Sequence, residues 1–232
     1  MRSRNNEAVN VSASLDMLMN LSLRQNFTPV LDDRNMFIGI VTRRDILTFY
    51  QQYITINDNE ETYFNPTINK IMARRSIRRF TNEQVTYEDI ETIVDAGLAA
   101  PTAANRRPVH ILVLQEEDKR RELYEKNNRG RLIAEATAAI AVYGDTNIEE
   151  NEFLLNNDCS AAMQNMLIAI EALGLGGVWI SAKDEDWRNL VTEVYQVPKE
   201  YKLYGMIAFG HPNEVKETHG SADPNKVHFN KW

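Results

Sequence analysis

Only one of the 232 residues is a cysteine, Cys159, so no internal disulfide can form and a reducing cytoplasm is the expected setting. No apolar run is long enough to span a membrane. The longest, Ala161 to Leu173, carries Gln164, Asn165 and Glu171 and reads as a buried helix. The opening residues, Met1 to Asn6, have no apolar stretch of the signal-peptide kind. Net positive charge is missing too. A formal charge of −7 argues against a general nucleic-acid or anionic-membrane binder. Neither GxGxxG nor GxxxxGK[ST] occurs, which removes the two commonest phosphate loops. His110, His211, His219 and His228 share no ligand spacing with cysteines or carboxylates, so no metal site is expected.

What remains is an ordinary globular composition, 43% hydrophobic and 25% charged, in a chain long enough for one full core plus a small module. In an acidic chain a local basic cluster stands out, and the densest runs from Arg74 to Phe80 through Arg75, Ser76, Ile77, Arg78 and Arg79. A guanidinium offers phosphate a planar fork of donors and keeps its charge, while serine adds a compact hydroxyl. An anion site and a solvated basic turn both fit such a run. Cys159, on the apolar helix with no histidine near it in sequence, reads as a small buried side chain.

The order of elements is irregular. Helices are predicted over Thr67 to Ala73, Tyr87 to Ala99 with Thr86 as cap, near 118–127 and 130–136, over Phe153 to Leu173 and over Asp184 to Tyr195. Strands are predicted over His110 to Gln115, Ala138 to Tyr143, Gly177 to Ser181 and Lys202 to Phe209. This mixture without regular alternation predicts an α+β fold. Ahead of it, Ser12 to Leu21 reads as a capped helix. Thr28 to Leu31 and Phe37 to Val41 read as a hairpin around Asp32 to Asn35, and Thr42 opens another helix through Tyr50. The acidic stretch ending in Asn65-Pro66 marks a boundary, giving a module at 1–56, a linker at 57–66 and a second domain at 67–232.

Four segments carry a resemblance: the basic run, the loop from Pro101 to Pro108, the Gly174 to Ser181 stretch, and the end from Lys226 to Trp232. In this order the chain from about Ile68 to Trp232 resembles the FMN-dependent nitroreductase family. The resemblance implies a mixed sheet flanked by helices, FMN as cofactor, NAD(P)H as electron donor, and a small electrophile such as a nitroaromatic or quinone as acceptor. It also implies that Arg74 and Ser76 take the phosphate or ribityl region with Arg75 beside them, and that Arg78 approaches the pyrimidine edge and tunes the ring. Asn105, on a stiff loop with Pro101, Thr102 and Arg107, would meet the flavin through its amide, its alternative being a left-handed turn residue. Gly174 to Gly177 reads as a helix stop or as a close backbone approach. On the family reading, backbone N–H groups around Ile180, Ser181 and Ala182 face the ring.

The chain departs from the family at three places, with Arg107 for a glutamine, Val109 for a tryptophan and Ser221 for an arginine. Lys226 is the candidate compensating cation, or simply a surface lysine. The long helix is apolar through Leu154, Leu155, Ala161, Met163, Met166, Leu167 and Ile170. With the resemblance, this leads to an expected homodimer with FMN between subunits and Phe229 and Trp232 wrapping the partner.

The segment from about residue 8 to 52 resembles one CBS motif without its usual opening strand, an αββα module. Thr42 and Asp45 match the positions that contact a nucleotide ribose, and the favoured competing reading of the pair is a helix cap. An adenine nucleotide is the ligand this implies. The rival to a flavoenzyme is therefore a nucleotide-sensing CBS protein with a degenerate flavin domain.

Overall fold

The computed structural model describes residues 6–13, 15–46, 66–217 and 223–232. The chain divides into two compact units, Met1–Phe64 and Asn65–Trp232. The expected linker up to residue 65, the helix beyond residue 46 and Ser221 lie outside the described residues.

In the N-terminal unit, α1 (Leu15–Ser22) follows a two-residue strand β1 (Val9–Asn10), and the hairpin β2 (Phe27–Leu31) and β3 (Phe37–Thr42) comes next. β1 pairs parallel with β2, Val9 opposite Val30, which corrects the expectation that the opening strand is missing. A two-residue strand carries no readable alternation, and it exists only through pairing with a strand that lies beyond a helix. The turn forms as the sequence predicts. The Asp32 carboxylate accepts from the N–H groups of Arg34 and Met36, both at 2.9 Å, while Asn35 takes a left-handed φ of 59°.

The larger unit has α2 (Pro66–Ala73), α3 (Tyr87–Leu98), β4 (Val109–Leu114), α4 (Glu117–Lys126), α5 (Arg131–Glu135), β5 (Ala138–Asp145), α6 (Glu152–Ala172), β6 (Gly176–Ser181), α7 (Glu185–Val194) and β7 (Tyr201–Gly210). Its four strands pair antiparallel in the order β4-β5-β7-β6. Its mixed character enters at the edge, where Ser76 makes a parallel bridge to Gly177. The fold is α+β. All eight residues of β5 are buried, because both faces of the strand are covered. Ala138, Ile140 and Val142 pack on the α6 side, whereas Ala139, Ala141 and Tyr143 pack with Trp187 and Leu123 on the other. Such a strand reads as a continuous apolar run rather than an alternating one.

The apolar positions of the long helix divide. Leu155, Met163, Met166, Leu167 and Ile170 are buried inside this one chain and need no partner, whereas Phe153 in its first turn is 71% exposed. A helix packed between a sheet and α3 is apolar nearly all round for that reason.

Two glycines serve separate purposes in the stretch after α6. Gly174 ends the helix with a φ of +77°, the helix-stop reading. Gly176 makes room, since a Cβ there would stand 2.7–2.9 Å from three carbons of Ile77, its Cβ included. Gly176→Ala is expected to destabilise the unit by about 1–3 kcal/mol and to displace the basic segment. Urea denaturation with a parental midpoint would contradict this.

Candidate functional site

The segment from Arg74 to Phe80 is extended, not a turn: Ser76 bridges Gly177, and Phe80 bridges Pro212. Its side chains therefore alternate. Arg75 and Ile77 are buried, while Arg74, Ser76 and Arg78 lie on the more open face, so three of the predicted anion contacts share one side. Among the described residues, the Arg74 guanidinium and the Ser76 hydroxyl make no hydrogen bond or ion pair within the chain. Arg78 donates from Nη1 to the Ser76 carbonyl at 3.2 Å.

Arg75 is anchored differently from the other three. Its Nε donates to the Glu217 carbonyl at 2.7 Å, and its Nη1 donates to the Met72 and Arg74 carbonyls at 2.8 and 2.6 Å. Its Nη2 is buried with no partner. A buried guanidinium nitrogen left without an acceptor is unfavourable, and an anion would relieve it.

The chain after β7 braces this segment from its other side. Glu214 accepts the backbone N–H of Arg78, and Lys216 donates to the Ser76 carbonyl while pairing with Glu214 at 3.3 Å. The Arg78 N–H holds the Glu214 carboxyl below the usual carboxylate range, with Lys216 adding to the effect. Sequence reading missed both residues, because no local pattern places 214–216 beside residue 76.

β6 is an edge strand, and its outer side is the second part of the site. The Ile77 N–H donates to the Gly177 carbonyl at 3.0 Å, so Gly177 turns its polar groups outward. With a period of two, Trp179 and Ser181 also face outward, whereas Ile180, opposite Met206, turns to β7. Of the three predicted backbone donors, then, Ser181 is turned outward and Ile180 is committed to the sheet. Ala182 is buried, and its carbonyl accepts from Arg188 at 3.0 Å. Gly177 and Ser181 are about 13 Å apart along the strand. Beside Ser181 opens a cleft of about 430 Å³ lined by Phe153, Lys183, Arg188 and Tyr204.

The Pro101 to Pro108 loop is stiff for reasons beyond its prolines. Asp158 accepts the Ala103 N–H at 2.9 Å, Arg106 pairs with the buried Glu149, and the Thr102 hydroxyl accepts the Arg107 N–H at 3.0 Å. Ala104, Asn105 and Arg107 have φ values of 50°, 55° and 55°. Asn105 is thus a left-handed residue, and its Oδ1 accepts from Arg107 Nε at 3.2 Å, while its amide nitrogen makes no hydrogen bond among the described residues. Pro101 is exposed. Asp158, Arg106 and Glu149 went unread in the sequence, although a carboxylate inside the apolar helix was a visible signal.

The structure does not bring this loop to the basic segment. Val109 opens β4 opposite Gly144 of β5, while Gly177 lies across β7 from Ala138 at the other end of β5. Three interstrand steps and six residues of strand place them roughly 20 Å apart or more. Asn105 and Arg74 therefore belong to opposite corners of one sheet. Lys226 is exposed in a short 3₁₀ turn, Pro224–Lys226.

Among the described residues no group of three metal-ligating side chains is assembled, and no helix is long and apolar enough to cross a membrane. Burial pushes the Cys159 thiol up to about 12, which suits a packing role. In the N-terminal unit, Thr42 and Asp45 form a capping box. Asp45 Oδ2 accepts from the Thr42 N–H and hydroxyl at 2.8 and 2.7 Å, and Thr42 Oγ1 accepts the Asp45 N–H at 3.1 Å.

Both units of the chain resemble known proteins. The model of the nitroreductase family matches residues 71–147 and 125–211, and that of the CBS domain matches residues 2–52. A protein of Archaeoglobus fulgidus, provisionally named an NADH dehydrogenase/NAD(P)H nitroreductase, is 31% identical over 167 residues, 70% of this chain and 96% of that one. The FMN-dependent nitroreductase of Clostridium difficile superposes with a TM-score of 0.65 at 27% identity, covering 71% of this chain and 99% of that one. The NADPH:FMN oxidoreductase of Vibrio harveyi, solved with NAD+, superposes at 0.63 with 29% identity, covering 72% and 78%.

The brace around Glu214 generates a pH test. A carboxyl whose pKa is depressed in the folded chain adds stability that is complete above its unfolded value, about 4.3, and is lost as pH falls through the folded value. Protection of the Arg78 amide against hydrogen exchange, relative to β5 amides, should therefore fall as the pH is lowered through that acid range. Glu214→Gln should show lower protection with no such step. An identical step in that variant would assign the titration elsewhere.

Proposed function

The chain belongs to the nitroreductase family, and we propose that its larger unit binds FMN along the outer edge of β6 and uses NAD(P)H to reduce a small electrophile such as a nitroaromatic or quinone. The observation that carries this reading is the shared open face of Arg74, Ser76 and Arg78 at one end of an edge strand whose Ser181 backbone points the same way at the other. The hydride chemistry resides in the isoalloxazine ring when FMN is bound. The chain's own task is to hold and polarise it. Arg74, Ser76 and the unpartnered Nη2 of Arg75 would hold the phosphate or ribityl end. Arg78, fixed by Glu214 through its backbone, would set a permanent cation near the pyrimidine edge and favour an anionic ring. The outward N–H groups of Trp179 and Ser181 would donate along the strand.

That separation is also the argument for a homodimer. One ligand along β6 is out of reach of Pro101, Thr102, Asn105 and Arg107 of the same chain, so these residues would meet the flavin from a second copy. Phe153, Phe229 and Trp232, exposed by 71%, 81% and 99%, are apolar anchors for that contact. Lys226 on the same tail would approach the phosphate as a point charge. In the N-terminal module, Asp45 Oδ1 is without a hydrogen bond among the described residues, and with Thr42 it would receive the ribose of an adenine nucleotide. The lone, buried Cys159 fits a cytoplasmic setting.

Purified protein is expected to be yellow and to bleach with NADH or NADPH. Arg74→Ala should weaken FMN about ten- to a hundredfold in titration, the loss of one charge-assisted contact. Arg78→Ala should lower the flavin potential more than it weakens binding. A colourless protein that takes up no FMN would refute the reading.

Sharing of the site between copies has its own test. Arg74→Ala and Asn105→Ala chains, mixed and re-formed as heterodimers, should regain one parental-affinity FMN site in two. A mixture that shows no such site, or a monomer by light scattering with FMN bound, would refute the shared arrangement.

A further inference from the structure

A second cleft, of about 610 Å³, opens at the end of the sheet where β5 begins and β7 ends, between α4, α5 and the Phe80 segment. No residue of β6 lines it, so it is separate from the strip described above, with Arg78 on their common rim. Four arginines face it, Arg78, Arg79, Arg120 and Arg121, against two carboxylates. Both carboxylates already have cations of their own on their helices: Glu117 pairs with Arg121, and Glu135 pairs with Arg131 at 3.3 Å. Positive charge is left over in a chain whose total is −7.

The deepest of these arginines is unusual. Arg120 is 3% exposed, and its Nη1 donates to the Leu114 and Gln115 carbonyls, which fixes the guanidinium in place. Its Nε is buried without a partner, and so is the hydroxyl oxygen of Thr137, which lines the same cleft. Burial disfavours the charge on Arg120, yet a guanidinium does not deprotonate in a protein. A buried polar atom without a partner is costly, and both Arg120 Nε and the Thr137 hydroxyl would gain from an oxyanion held in the cleft that their residues line. Arg79 at the mouth makes no side-chain hydrogen bond or ion pair among the described residues.

We propose that this cleft binds a phosphate monoester of nucleotide size, its phosphate held by Arg79, Arg120 and the Thr137 hydroxyl. The planar forks of arginine match phosphate oxygens. The volume lies in the range of small-molecule sites and exceeds what one inorganic anion fills. Asn82 and Asn213 on the rim offer amide donors and acceptors to a base or sugar, and Phe80 offers a ring face. The same chemistry is presented by a free mononucleotide and by the 2′-phosphate of NADPH.

The test is calorimetry on the full-length, FMN-loaded protein with inorganic phosphate, AMP, NADP+ and NAD+ as probes. AMP, NADP+ or both should bind, and Arg79→Ala and Thr137→Val should each weaken that binding, the first by about ten- to a hundredfold. The flavin absorbance should stay unchanged, and NAD+ should not respond to Arg79→Ala. A response confined to NADP+ assigns the dinucleotide's 2′-phosphate, and one that includes AMP assigns a mononucleotide. Asp45→Ala separates this site from the N-terminal module. AMP heat lost in that variant but retained in Arg79→Ala, with NADP+ equally indifferent to Arg79→Ala, would overturn the proposal. So would binding of inorganic phosphate alone, or parental affinity for every probe in both cleft variants.

Discussion

The hydrogen bond from the Ile77 N–H to the Gly177 carbonyl, 3.0 Å long, is the contact on which the larger unit's site depends. It holds an extended basic segment against the edge of a sheet, and extension makes the side chains alternate. Ile77 goes inward onto Gly176, where a larger residue would collide with it. Arg74, Ser76 and Arg78 are thereby turned to the open face together. The same bond identifies which residues of β6 direct their polar groups outward. One backbone contact sets the direction of donors at both ends of a strip about 13 Å long.

Rigid support for that strip comes from two sides. Behind it, β5 is buried along its whole length between the α6 layer and the α4–α7 layer, so the sheet cannot flex without opening the core. In front, Glu214 and Lys216 tie the backbone of Arg78 and Ser76 to the segment after β7. Electrostatic preorganisation requires charges that do not reorient when a ligand arrives, and the Arg78 guanidinium is tied to the Ser76 carbonyl at 3.2 Å on a backbone that Glu214 fixes. Arg75 contributes in another way, since its three carbonyl acceptors anchor it while one nitrogen stays unpartnered.

The same sheet geometry divides the remaining candidates. The loop of Asn105 is braced by Asp158 and Glu149 at the far corner, which makes it rigid and remote at once. The arginine-lined cleft at the near end of the sheet follows from the same layout, because α4 delivers Arg120 beneath the exit of β4 with only part of its guanidinium engaged.

Much of this was legible in the sequence. Helix and strand positions followed from periodicity, Thr86 from cap chemistry and Gly174 from its place after an apolar helix. These are local properties, carried by neighbours in the chain. The two-residue β1, the extended rather than turned basic segment, the coverage of α6 by its own chain, the brace at Glu214 and Lys216, and the commitment of Ile180 to β7 were decided only by the tertiary structure. Each depends on a contact between residues far apart in sequence, such as Ser76 with Lys216 or Ala103 with Asp158. No local pattern encodes which edge of a strand will be free, because that edge exists only once the order β4-β5-β7-β6 has formed.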